Sequence, residues 1–341
     1  MGCCSCFGFT SKPKQRTAPI SVRNHNLFQE FLLNEEIDDD YDGSYNGEVA
    51  DTAYGEDGEL PSRVKRSEEI LRLREQSGMI CRQFPVKETQ KLVRSEDEDG
   101  NKMVNQYVRV CKIGAGSYGK VVLYRSSVDG KNYAIKAFHK SHLLKLRVAP
   151  SETAMSDVLR EVLIMKMLDH PNIVNLIEVI DDPNTDHFYM VLEYVEGKWV
   201  WEGSGPPGGI GESTARKYLR DIVSGLMYLH AHNIVHGDIK PDNLLVTRSA
   251  TVKIGDFSVS QVFEDDNDEL RRSPGMPVFT APECCLDPKQ RMTLDSVASH
   301  SWVIGEDGPI PQYLCWCKRN SLRMKPESHM NLTESDDSPT D

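Results

Sequence analysis

Apolar positions are scattered without a period over the first hundred residues and become regular only afterwards. From Tyr107 onward, alternation with the two-residue period of half-buried strands predicts strands at 107–110, 120–124 and 132–138, with another at 188–192. A three- and four-residue period predicts helices over 155–168 and 212–230. In the second of these, Ala215, Tyr218, Leu219, Ile222, Val223 and Leu226 form one apolar face. The run Gly-Ser-Gly-Pro-Pro-Gly-Gly at 203–209 between the two regions is a loop. Strands come first and helices after, the order of an α+β domain in two lobes.

Upstream, residues 22–100 combine many acids with little periodicity and read as mostly disordered. A short helix fits 61–76, where Val64, Ile70, Leu71 and Leu73 interrupt charges, its charged face keeping it soluble. The expected organisation is an acidic arm over 1–106, one domain over 107–302 and a disordered tail over 303–341. The tail includes a basic, aromatic-led stretch at 316–325 of the kind calmodulin binds, read here as solvated.

Composition narrows the function. The chain has 341 residues, 39% of them apolar, enough for one sizeable core with flexible segments besides. Its formal charge of −12 is partly local, since residues 35–60 hold eleven Asp or Glu and no Lys or Arg. Such a balance argues against a nucleic-acid partner, which needs cations to neutralise phosphates. The nine cysteines form no matched set of C-x2-C pairs of the kind that holds zinc, so a reducing compartment is expected. No apolar run reaches the ~18 residues that span a bilayer. These features make the cytoplasm the expected location, with the membrane surface and the nucleus as further addresses. Gly2, followed by Cys3 and Cys4, resembles a dual acylation site for myristate and palmitate. Lys12, Lys14 and Arg16 add charge behind it, although Cys6 stands where the myristoylation rule has Ser or Thr. The alternative is an unmodified start.

Four motifs carry chemistry. Gly114-Ala115-Gly116-Ser117-Tyr118-Gly119-Lys120-Val121 fits G-x-G-x-x-G-x-V, a turn whose backbone N–H groups close over phosphates. Joining two strands rather than a strand and a helix, it disfavours a dinucleotide fold. Lys136, fifteen residues after Val121 in Tyr-Ala-Ile-Lys, is a strand lysine suited to the first two phosphates of ATP. In His236-Gly237-Asp238-Ile239-Lys240-Pro241-Asp242-Asn243, a carboxylate, a lysine two residues on and an amide five residues on supply proton acceptance, charge stabilisation and a metal ligand. Asp256, in Asp-Phe-Ser thirteen residues beyond Asn243, offers the second metal carboxylate. Glu161 on the 155–168 helix pairs with Lys136 by position. Met165, one turn further, faces Phe257 and His236. The backbone of Glu193 and Val195 is the expected adenine contact.

Together these motifs resemble the eukaryotic Ser/Thr protein kinases. More narrowly, 181–191 and 239–246 resemble the calmodulin-dependent-kinase kinases, and the whole chain is similar to the plant geminivirus Rep-interacting kinases. That resemblance implies a bilobal protein-kinase fold and use of ATP and Mg2+. It also implies that Ile113, Ala134 and Leu245 join the residues above around the nucleotide. Its implied substrates are AMP-activated-kinase-like protein kinases, phosphorylated on an activation-loop threonine in energy signalling. Thr153, just before the Glu161 helix, is a phosphorylation candidate, because charge added at a helix start is favourable.

The chain departs from the pattern at four places. Gly237 replaces the Arg of H-R-D and removes the guanidinium that clamps a phosphorylated loop. Ser258 replaces the Gly of D-F-G, and Met276 stands where a threonine is usual. Most consequentially, Ala281-Pro282-Glu283 is followed almost at once by Asp287 to Arg291, so several helices of the second lobe are missing between Leu286 and Asp287. Each core side chain left uncovered forfeits about 1.5–3 kcal/mol, and a handful of these rivals the ~5–15 kcal/mol stability of a domain. A destabilised second lobe is expected, with intact strands at 107–138 and 173–195. Two readings follow: an active kinase, or a non-catalytic shortened isoform that binds nucleotide or partners as a regulator.

Overall fold

A computed structural model describes residues 63–77, 81–116, 118–149, 152–197, 199–200, 209–263, 292–313 and 315. Its first lobe is one eight-stranded sheet. In chain order the strands are β1 (Lys87–Thr89), β2 (Arg94–Glu96), β3 (Lys102–Val104), β4 (Tyr107–Ala115), β5 (Lys120–Ser126), β6 (Asn132–His139), β9 (Leu176–Asp181) and β10 (His187–Glu193). Across the sheet they run β1-β9-β10-β6-β5-β4-β3-β2. All neighbours pair antiparallel except β1 with β9.

After β6 come helix α2 (Lys140–Lys145), the short pair β7 (Arg147–Ala149) and β8 (Glu152–Thr153), and helix α3 (Ala154–Met167). Val158, Val162, Ile164, Met165 and Met167 of α3 all belong to the main core, where they join Leu176, Phe188 and Met190 of the sheet. Helix α4 (Glu212–His230) opens the second lobe, followed by β11 (Ile234–Val235), a 3-10 turn at Pro241–Asn243, β12 (Leu244–Val246), β13 (Val252–Ile254) and β14 (Gln261–Val262). Helices α5 (Leu294–Ala298) and α6 (Ser301–Ile304) close the described chain. The helices expected at 155–168 and 212–230 and the four expected strands are present at those places.

The structure corrects the assignment of 1–106 to a disordered arm over its latter part. The helix expected at 61–76 is present as α1 (Arg63–Gln76), but it buries Ile70 and Leu71 in the main core rather than lying in a disordered arm. Arg74 ties it down by donating to the carbonyls of His232 (2.7 Å) and Phe263 (3.1 Å). Strand β1 is held by the buried carboxylate of Glu178, which accepts from Thr89, from Gln106 (3.1 Å) and from the Tyr107 hydroxyl (2.7 Å), and pairs with Lys87 at 3.0 Å. Burial works to raise the Glu178 carboxyl, but these donors outweigh it and hold its pKa below the usual value. Strands of three residues are too short for periodicity to register, so this attachment is invisible to pattern reading. The tail assignment is corrected as well. Val303 and Cys315 are buried, and Tyr313 packs edge-on against His170 at 4.5 Å. Residues 1–62, 264–291 and 316–341 lie outside the described residues, and with them Gly2, Cys3, Cys4, Met276 and the junction after Leu286.

Candidate active site

Strand register builds the first half of the site. Gly114 stands opposite Val121, and Val121 opposite Lys136, so β4, β5 and β6 carry the glycine turn and the lysine in one row. The turn closes with the Gly116 N–H donating to the Gly119 carbonyl at 2.8 Å. Gly119 has a steric reason to be glycine, since a Cβ there would collide with the Ala137 carbonyl. Gly114 and Gly116 have no such neighbour. A Cβ on Gly116 would sit about 4.0 Å from Lys136 Cε, over the space that the turn and the lysine share. Ile113 and Ala115 end β4, Lys120 begins β5 and Ala134 lies on β6. Ser117 lies outside the described residues.

The Tyr118 hydroxyl donates to Asp157 Oδ2 of α3 at 2.7 Å. Asp157 is buried and pairs with Arg160 at 3.0 Å. The tip of the glycine turn is therefore bonded to the helix that carries Glu161. Sequence reasoning missed this contact. Its only signal is that Asp157 and Glu161 stand one turn apart on the same face.

Lys136 Nζ donates to Glu161 Oε1 at 2.6 Å and to Asp256 Oδ1 at 3.1 Å. One ammonium faces two carboxylates, and burial works to raise the pKa of each. Burial would lower the Lys136 pKa, but Asp256 and Glu161 outweigh it and hold it above the usual lysine value. Burial pushes the Glu161 carboxyl up against the pull of Lys136. At Asp256 burial acts in the same upward sense, yet Lys136 wins and the carboxyl lies below its ordinary value. The carboxyl held below its ordinary value is the one whose side chain is 25% exposed rather than 3%. Ser258 also hydrogen-bonds Asp256, so the serine in place of glycine adds a donor to that carboxylate. Asp256 has φ +59°, a left-handed conformation uncommon outside glycine.

The second half of the site hangs on His236. Its Nε2 lies 2.9 Å from the Gly255 carbonyl and its Nδ1 accepts the Asp238 N–H at 3.2 Å. A carbonyl only accepts, so the proton is on Nε2 and the ring is neutral. Burial accordingly lowers its pKa. The ring meets Phe257 edge-on at 4.9 Å, and Phe257 and Met165 share the main core. Gly237 has φ +85°, which glycine adopts without strain, so the missing guanidinium coincides with a relaxed backbone. Asp238 Oδ2 pairs with Lys240 Nζ at 2.8 Å. The Asn243 amide donates to the Asp238 carbonyl (2.8 Å) and to Oδ2 (3.0 Å). With its NH2 group committed, Asn243 is left with its amide oxygen as an acceptor. The Gly255 N–H donates to the Asn243 carbonyl at 2.8 Å and draws Asn243 and Asp256 to one side. An amide oxygen and a carboxylate are the hard donors that Mg2+ prefers.

Between the lobes, the Glu193 N–H donates to the Asn175 carbonyl at 2.9 Å, and the Glu193 carboxylate pairs with Lys253 at 3.0 Å. Val195 is buried beside it. Leu245 on β12 is half-buried against the core, close to Gly255. Thr153 is half-buried at the N-cap of α3 with extended backbone.

Comparison with known proteins adds context to this geometry. The protein kinase domain family matches residues 107–290. The chain is 58% identical to serine/threonine-protein kinase GRIK2 of Arabidopsis thaliana, over 88% of this chain and 92% of that protein. It is 53% identical to GRIK1 of the same plant, over 96% and 97%. A calcium/calmodulin-dependent protein kinase kinase of Caenorhabditis elegans is 42% identical over 58% of this chain and 39% of its own length. The two plant alignments run over 373 and 394 positions while covering 88% and 96% of this 341-residue chain. In each, several dozen positions therefore carry residues in the relative and none here.

Proposed function

This chain belongs to the protein kinase domain family, and on that premise we propose that it transfers the terminal phosphoryl group of ATP to an activation-loop threonine of AMP-activated-kinase-like kinases. The observation that carries the transfer chemistry is the linked set Lys136–Glu161–Asp256 and Asp238–Lys240–Asn243. In this reading Asp238 orients the acceptor hydroxyl and takes its proton as the oxygen–phosphorus bond forms and the bond from the terminal phosphorus to the bridging oxygen breaks, releasing ADP, while Lys240 lies against the charge that develops. Lys136 holds the nonreacting phosphates, fixed by Glu161. Asn243 and Asp256 would hold Mg2+, which would neutralise charge on the phosphates. The Glu193 N–H being committed to Asn175, its contact to adenine is made by the carbonyl, with Val195 supplying the N–H. The substrate class rests on similarity to the plant kinases and to the calmodulin-dependent-kinase kinase.

The test is magnesium-dependent transfer of labelled phosphate to an activation-loop peptide, beside Asp238→Ala. Transfer lost in that variant supports the reading. A folded sample with no transfer favours the non-catalytic shortened isoform, for which the positions missing against both plant relatives speak. The proposal extends to two modifications. Acylation at Gly2, with Cys3 or Cys4, brings the kinase to membranes, and a myristate analogue that fails to label the wild type refutes it. Phosphorylation at Thr153 adds charge at the start of α3, and mass spectrometry of active protein that finds Thr153 unmodified dismisses it.

A further inference from the structure

Cys81, His232 and Cys315 are far apart in the sequence, yet their donor atoms all lie within 4.8 Å of one another. Three separate segments meet there. Cys81, in the stretch before β1, is buried, and its N–H donates to the Met167 carbonyl at the end of α3 (3.2 Å). His232 is half-buried in the turn after α4 and accepts Arg74 of α1 on its carbonyl. Cys315 is buried two residues after Tyr313, whose ring packs on His170 and Tyr228. Neither cysteine is in a disulfide.

The surroundings prepare these groups as ligands. His232 Nδ1 lies 2.7 Å from the Tyr228 carbonyl. The carbonyl accepts only, so Nδ1 carries the proton and Nε2 the lone pair, the arrangement that orients metal-ligating histidines. The Tyr228 hydroxyl accepts the Asp169 N–H at 3.0 Å and hydrogen-bonds the side chain of Cys81, an outer-shell partner that orients the sulfur.

We propose that Cys81, His232 and Cys315 form a three-ligand site for a zinc-class cation, which clamps the segment before β1 and the chain after α6 onto the second lobe. Two thiolates and an imidazole suit zinc and are wrong for magnesium or calcium. A tetrahedral zinc, with Zn–S near 2.3 Å and Zn–N near 2.0–2.1 Å, sets the donor atoms roughly 3.5–3.8 Å apart. Only a small contraction from the 4.8 Å limit is needed. Water takes the fourth position. None of its three ligands is among the residues assigned above to phosphoryl transfer, so the clamp acts on the fold rather than on the chemistry.

The experiment uses the full reduced chain, stripped with a chelator and titrated with Co2+ and then Zn2+. The expected result is one equivalent of Co2+ giving a thiolate-to-cobalt absorption band, displaced by Zn2+. At hundredfold excess over Kd, Zn2+ should raise Tm by roughly 5–10 °C. Cys81→Ser and Cys315→Ser should lose both signals while keeping the far-ultraviolet circular dichroism of the wild type, and Cys111→Ser should keep both. A band that persists in Cys81→Ser and Cys315→Ser assigns the cation to other cysteines and overturns the proposal. So does the absence of any band or Tm shift, or a Cys81–Cys315 disulfide found by mass spectrometry in metal-free protein isolated without reductant.

Discussion

Replacing Leu71 with alanine tests whether α1 belongs to the domain or merely lies beside it. Leu71 is 1% exposed and shares the main core with Val158, Val162 and Met165 of α3, whereas Leu73, two residues on, is 52% exposed. Truncating a buried leucine removes its transfer free energy and leaves a cavity, together about 2–5 kcal/mol. For a domain of this size each kcal/mol lowers Tm by roughly 2–4 °C, so Leu71→Ala should melt roughly 5–15 °C below the wild type. Leu73→Ala leaves no cavity and should stay within about 0.5 kcal/mol. Thermal melts of the full chain, followed by near-ultraviolet circular dichroism and repeated in urea, measure both. If the two variants melt together, the burial of α1 contributes nothing and the domain starts later in the chain.

Lys136→Met strands Glu161 and Asp256 without their counter-charge and should cost about 3–5 kcal/mol in urea unfolding. It should also change the acid limb of stability. Because Lys136 holds the folded pKa of Asp256 below its unfolded value, that contribution is full above about pH 4 and lost as pH falls through the folded value. Glu178 obeys the same sign, so Glu178→Gln should lower stability at pH 7 and flatten its decline in acid; an unchanged acid limb refutes the assignment. Gly119→Ala collides with the Ala137 carbonyl and should destabilise the first lobe, whereas Gly116→Ala meets only ordinary contacts and should leave Tm unchanged while weakening nucleotide binding. Equal melting of the two glycine variants refutes that division.

The row Gly114–Val121–Lys136 and the loop from His236 to Asn243 were legible because their chemistry fixes residue types at short spacing, and the elements that hold them are long enough for periodicity. What stayed hidden depends on contacts between distant segments. Nothing near Glu178 in the sequence announces that it receives Thr89, Gln106, Tyr107 and Lys87. Ser258 registers in the sequence only as a departure from D-F-G, and its bond to Asp256 shows what the serine adds. The Tyr118–Asp157 bond was half visible, since Asp157 lies one turn from Glu161, but the turn that brings Tyr118 over it had to be seen.

The shortened second lobe poses the harder physical question, because the site depends on α4. Asp221 on that helix accepts the Val252 N–H at 2.9 Å, and Asn172 donates to the Val252 carbonyl at 3.0 Å, so β13, which leads into Asp256, is held from both sides. Gly225 lets α4 approach Ile254 so closely that a Cβ would press on its side chain. The inner face of the helix is therefore secured by the site itself. Its remaining apolar residues, Tyr218, Leu219, Ile222 and Leu226, are only half-buried. The chain after Thr293 is tied to the same helix: Trp302 donates to Glu212 at 2.9 Å beneath Arg216, and Arg220 gathers the carbonyls of Val303 (2.8 Å) and Gly308 (2.7 Å). These are polar contacts at the partly exposed edge of the helix, each worth about 0.5–1.5 kcal/mol, against about 1.5–3 kcal/mol for a fully buried side chain. Such contacts can hold α4 in place without fully burying its apolar side chains, so the site stands on a helix several of whose core-facing side chains are themselves only partly covered.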